Sequence, residues 1–181
     1  MCGIFGATSS IDIQKHLIEG LSRLEYRGYD SAGLSLISKS NRIKRIRCIG
    51  KVNQLKKLLS SSKLSGHCGI AHTRWATHGI PNLKNSHPHN YGRFSIVHNG
   101  IIENSDEIKN FLLQKSHKFS SDTDSEVIAH LLEYFSNKHS KLSKILLHTF
   151  KKLSASFALG IIYDGQPDQV IATSTGSPSK K

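Results

Sequence analysis

The chain has 181 residues, 37% hydrophobic and 21% charged, which suits one domain with a substantial core. No stretch approaches the ~20 apolar residues of a membrane span, no basic-then-apolar leader opens the sequence, and three dispersed cysteines (Cys2, Cys48 and Cys68) make neither a disulfide framework nor a CxxC pair. These features exclude a membrane protein and point to a reducing cytoplasm. The net charge of +12 raises nucleic acid as a partner, but the basic residues are scattered and the few aromatics are not interleaved with arginines, so nucleic acid is not expected.

The first six residues, Met1-Cys2-Gly3-Ile4-Phe5-Gly6, put a thiol directly after the initiator. Trimming of Met1 leaves Cys2 with a free α-amine near pKa ~8 beside a thiol near ~8.5. One residue then carries a nucleophile and its base. Read alone, these residues are equally consistent with an ordinary first strand.

Ile13, Leu17, Leu21 and Leu24 recur at helical spacing, with Ser10 or Asp12 as the cap. A polar loop with two glycines follows, from Glu25 to Gly33. Strands are predicted over 34–37 and 43–49, then a short helix over 52–59 and a serine-rich connector over 60–65. Residues 68–72 read as a buried strand leading into the irregular, ligand-rich segment 73–81. A strand over 94–98 stops at Asn99-Gly100, a dipeptide that in isolation means a hairpin turn. Ser105 is the expected cap of a helix carrying Ile108, Phe111 and Leu112. Thr123 with Glu126 reads as a capping box for a helix with Val127, Ile128, Leu131 and Phe135 on its apolar face. A helix over 142–152 and strands over 156–163 and 170–173 complete the pattern. Strands joined by turns with helices inserted between them imply an α+β fold with antiparallel sheet.

Five segments occur in order: Cys2-Gly3-Ile4-Phe5-Gly6, Arg23 through Gly33, Ala71 through Gly79, His87-Pro88-His89, and His98-Asn99-Gly100-Ile101-Ile102-Glu103-Asn104. Together they resemble the class II, N-terminal-nucleophile glutamine amidotransferases. The loops Tyr26 to Gly33 and Thr73 to Gly79 are similar to those of the hexosamine-forming branch, the glutamine–fructose-6-phosphate aminotransferases. The resemblance implies an αββα sandwich of antiparallel sheets. It also implies hydrolysis of L-glutamine to glutamate and ammonia through a Cys2 thioester, with no cofactor. In that branch the ammonia passes to fructose 6-phosphate, giving glucosamine 6-phosphate.

The resemblance also assigns roles. The oxyanion falls to Asn99 and the Gly100 N–H. Arg74 would grip the α-carboxylate of glutamine through its planar fork, and Asp124 the α-ammonium. Thr77, His78, His87 and Trp75 would lie nearby, Trp75 in a closing loop. Arg27 and Gly28 would stand beside the nucleophile, and Tyr29 in the pocket wall. Each has a plainer reading: Arg74 in a surface ion pair, Trp75 in core packing, Asp124 as a first-turn helix acid. His67, His72, His87, His89 and His98 match no metal-binding spacing, and no metal site is expected.

Members of the branch continue past Gly176-Ser177-Pro178, so residues 1–181 are expected to form a glutaminase domain without its last strands or the sugar-isomerase domains. A separate phosphosugar chain would then be a partner. The competing readings are an amidotransferase subunit with another acceptor, and an inactive basic binding protein that keeps the fold.

Overall fold

In the computed structural model, residues 2–75 and 81–175 are described. Their elements in chain order are β1 (Gly3–Thr8), α1 (Gln14–Arg23), a single 3-10 turn (Glu25–Arg27), β2 (Ser31–Ile37), β3 (Ile43–Ile49), α2 (Val52–Ser60), β4 (Cys68–Arg74), β5 (His89–Tyr91), β6 (Phe94–Ile102), α3 (Ser105–Leu113), α4 (Glu126–Ser136), α5 (Leu142–Lys152), β7 (Ala155–Tyr163) and β8 (Val170–Thr175). Two antiparallel sheets form, with strand orders β1-β4-β2-β3 and β5-β6-β7-β8. Among these residues no helix is long and apolar enough to cross a membrane.

Side-chain alternation along the strands builds the layers. On the outer face of the first sheet, Ala32, Leu34, Leu36 and Ala71 pack against Leu17 and Leu21 of α1 and Leu55 of α2. On the outer face of the second, Phe94, Ile96, Leu159 and Ile161 pack against α3, α4 and α5 through Leu112, Leu131 and Ile145. Between the sheets lies a smaller apolar cluster of Ile37, Cys68, Ile70, Val97 and Ile162. The expected αββα sandwich is therefore the observed fold. The rest of the seam between the sheets is polar. Ser95 Oγ donates to Asn90 Oδ1 at 2.6 Å and meets Ser35 Oγ, across the seam, at 2.8 Å.

The structure departs from the sequence expectations at several ends. β6 does not stop at Asn99-Gly100; it continues to Ile102, because Asn99 and Gly100 pair with Ala158 and Phe157 of β7. β2 begins at Ser31, three residues before the expected start, and β5 was not expected at all. Asp12 rather than Ser10 serves the start of α1, its Oδ1 accepting from Gln14 N at 2.9 Å. Ser105 is the first residue of α3, not its cap. Thr123 and Glu126 form no capping box. The Glu126 carboxylate turns to Ser120 and Ser121, accepting their N–H and O–H groups at 2.7–3.2 Å.

Candidate active site

Cys2 immediately precedes β1, which pairs with β4 along its whole length. Gly3 pairs with Thr73, and its N–H donates to Thr73 Oγ1 at 3.2 Å. A Cβ at Gly3 would stand 2.7 Å from that oxygen and 2.8 Å from Leu24 Cβ, so only glycine permits this approach. The Trp75 N–H then points at Cys2 Sγ, 3.5 Å away. Gly28, after the 3-10 turn, backs the same peptide: a Cβ there would lie 2.6 Å from Arg74 C and 2.9 Å from Trp75 N. Burial pushes the Cys2 thiol up from its ordinary value. The Trp75 N–H pulls it down, as does the Arg74 charge, while Asp30 adds to the rise.

Cys2, Arg74, Trp75, His87, Asn99, Gly100 and Asp124 line one cavity of about 430 Å³. Arg74 ends β4 and is buried. Asn99 and Gly100 come from β6, where Gly100 has φ of 152°. A Cβ at Gly100 would collide with Ser156 O and lie 2.9 Å from Phe157 Cα. Asp124 is fixed from two sides: Ile102 N donates to Oδ2 at 2.8 Å, and Ser125 Oγ donates to Oδ1 at 3.3 Å. The Ser125 hydroxyl also meets His98 Nδ1 at 2.7 Å, linking that ring to Asp124. A cationic and an anionic side chain thus share the wall of a cavity that contains a thiol.

Histidines form the floor behind this wall. His72 stacks on His87 with centroids 4.2 Å apart, and His87 meets His89 edge-on at 4.6 Å. His72 Nε2 bonds His98 O at 3.1 Å, and His89 Nε2 bonds Thr123 Oγ1 at 3.1 Å. Burial pushes His72 and His89 down to about 3 and His98 to about 4, and holds His87 well below its ordinary value. All four are neutral imidazoles at neutral pH. Among the described residues no group of three or more His, Cys, Asp or Glu is placed to hold a metal ion.

The remaining candidates lie apart. Arg27 Nε donates to Tyr26 Oη at 3.2 Å, its guanidinium rests 5.7 Å from the Tyr26 ring centre, and it does not line the cavity. Among the described residues Tyr29 meets the site through Trp75, ring edge to ring face at 5.1 Å. Trp75 is 45% exposed, so it is a rim residue and not part of the core. Thr77 and His78, like Met1, lie outside the described residues.

Several site-shaping residues had escaped the sequence reading. Ser125 is one. Glu126 is another: burial alone would raise its carboxyl, but hydrogen bonds from His130, Ser121 and Ser120 hold it below the ordinary carboxylate range. Arg45 and Arg47 are others, two of the four basic residues in the segment 42–47. They lie two residues apart on one face of β3, and both donate to backbone carbonyls of residues 84–88. Spacing of two in a strand was the available signal.

A family profile described as a glutamine amidotransferase domain matches residues 72–175. Over 98% of its length the chain is 46% identical to a glutamine–fructose-6-phosphate aminotransferase (isomerizing) of Legionella pneumophila and 48% identical to that of Buchnera aphidicola. It spans 30% and 29% of those two relatives. Among solved structures, glutamine phosphoribosylpyrophosphate amidotransferase of B. subtilis superposes with a TM-score of 0.76 over 91% of this chain and 35% of that one. At 24% identity, that likeness concerns the fold.

Proposed function

The chain belongs to the glutamine amidotransferase family, and from that premise we propose that it hydrolyses L-glutamine to glutamate and ammonia through a thioester on Cys2. The observation that carries this reading is the Cys2 thiol sharing one cavity with Arg74, Asp124, Asn99 and Gly100. Glutamine is the ligand those groups complement. Its α-carboxylate pairs with the Arg74 guanidinium, and its α-ammonium with the Asp124 carboxylate. That orientation brings the side-chain amide to the sulfur.

In the proposed reaction Met1 is removed, and the freed α-amine of Cys2 takes the thiol proton. Sulfur attacks the amide carbon, and the oxygen gathers negative charge beside the Asn99 side chain and the Gly100 N–H. The C–N bond then breaks, the α-ammonium returns its proton to the departing ammonia, and a γ-glutamyl thioester remains. Water, activated by the same amine, releases glutamate and restores the thiol. Trp75 and Tyr29 would cover the mouth, and Thr77 and His78 would serve the substrate. Gly28 and Arg27 would keep the nucleophile in place from behind. His87 would present a neutral ring to the substrate.

For the ammonia we propose fructose 6-phosphate as acceptor, following the names of the relatives. The acceptor site would belong to a phosphosugar-binding domain or a separate chain. The three cysteines are free, which suits a reducing cytoplasm. Hydroxylamine tests the thioester. With L-glutamine present it should intercept the acyl group as γ-glutamyl hydroxamate, and Cys2→Ala should yield none. Hydroxamate formed equally by Cys2→Ala would sink the reading.

A further inference from the structure

We propose that Arg47, assisted by Arg45, is a positioning residue that holds His87 in the cavity wall by clamping the backbone on either side of it. The consequence for glutamine rests on the glutaminase reading above; the clamp itself does not.

β3 is an edge strand, and its alternation puts Arg45 and Arg47 on the same face. Arg47 Nη1 donates to Ser86 O at 2.6 Å and to Lys84 O at 3.3 Å. Arg45 Nη1 donates to Pro88 O at 3.1 Å. The carbonyls immediately before and after His87 are therefore both taken by guanidinium groups. His87's own carbonyl rests on β2. A Cβ at Gly33, the residue paired with Arg47, would collide with His87 O and stand 2.9 Å from Arg47 Cγ. On the far side Asn85 Oδ1 accepts from Asp122 N at 3.0 Å, tying the segment to the loop that carries Asp124.

The segment holds a ring that has no hydrogen-bond partner of its own. His87 is 5% exposed and lines the cavity with Cys2 and Arg74, yet neither ring nitrogen has a partner among the described residues. Buried polar groups are normally paired. A neutral imidazole offers one donor and one acceptor, and here both nitrogens are buried. Nothing in the ring's own bonding fixes its place; it is located by its contacts with His72 and His89 and by the clamped backbone. Burial lowers the pKa of Arg47 to about 10, which leaves it charged at neutral pH.

The test is carbethoxylation by diethyl pyrocarbonate, mapped by peptide mass, with exposed His16 as internal reference. Arg47→Met should speed modification of His87 at least about tenfold with His16 unchanged, and Arg47→Lys should return it to within about threefold of the parent. An unchanged His87 rate in folded Arg47→Met overturns the clamp, whether or not the protein hydrolyses glutamine. Should that variant fail to fold, Arg45→Met decides, with an increase of about threefold expected and no increase overturning it.

In the glutaminase assay, Arg47→Met should raise KM for L-glutamine about fivefold with kcat within about twofold, and should add nothing on a His87→Ala background. Full additivity there would overturn action through His87. If the parent releases no glutamate, the functional reading fails, and the modification rates still decide the clamp.

Discussion

Gly100 is the residue on which the proposed oxyanion site depends most narrowly. Its φ of 152° is open to glycine and strained for any other side chain, and the space a Cβ needs is filled by Ser156 O. Gly100→Ala should destabilise the fold by about 1–3 kcal/mol and lower glutamate release at least about 100-fold. Urea denaturation and the glutaminase assay check the two parts separately; an alanine variant with unchanged activity would remove Gly100 from the mechanism. At this scale the sequence was most legible where chemistry is local. The thiol at position 2 drew notice by residue type, whereas Asn99-Gly100, which alone reads as a hairpin turn, took its role only from the likeness of five ordered segments to a family. Ser125 drew no notice, because its role exists only through Asp124 and His98, and nothing in the order of residues announces those bonds.

Elements bring the histidines together and bury them without charge. His72 lies on β4, His98 on β6, His89 opens β5, and His87 sits in the segment before it. An unfolded chain protonates each near pH ~6.5, whereas the folded chain leaves His72 and His89 neutral to about 3 and His98 to about 4. Below about pH 6.5 the unfolded state therefore binds more protons, and stability falls as pH falls, by up to about 1.4 kcal/mol per pH unit for each histidine. Glu126 acts in the same direction only below its unfolded pKa near ~4.5, since its folded value is depressed. Urea midpoints should drop steadily from about pH 7 to about pH 5, and His89→Gln should flatten the slope by roughly one proton. A profile flat to about pH 5 would mean that these rings are protonated in the fold.

Periodicity revealed the helices well, because α1, α2 and α5 each bury one apolar stripe. It failed at β5, three residues long, and at the Thr123–Glu126 pair, where the Glu126 carboxylate turns back to Ser120 and Ser121 in the preceding loop instead of capping the helix.

Across the whole molecule, two cores face helices and a third, smaller one joins the sheets. The apolar junction covers only part of the seam; the remainder is the polar tract of Ser35, Asn90, Ser95 and the histidines. That tract joins residues up to 60 positions apart through hydroxyl, amide and imidazole contacts, so the sequence read by pattern stopped at an α+β fold, and only the likeness of five ordered segments to a family supplied the sandwich. A separation of 37 to 43 positions hid the contacts of Arg45 and Arg47, since a run of basic residues on an edge strand reads as surface charge until residues 84–88 are laid over it. The two sheets meet to put a thiol from the start of the chain against an acid from the loop before α4, and the central claim is that this meeting hydrolyses glutamine. The most direct measurement is glutamate release from L-glutamine by the purified chain, with Cys2→Ala beside it and intact mass on the same sample. The expected result is a mass lacking Met1 and release that vanishes with Cys2→Ala. Release that persists without the thiol, or none from a folded chain whose Met1 is gone, would contradict it.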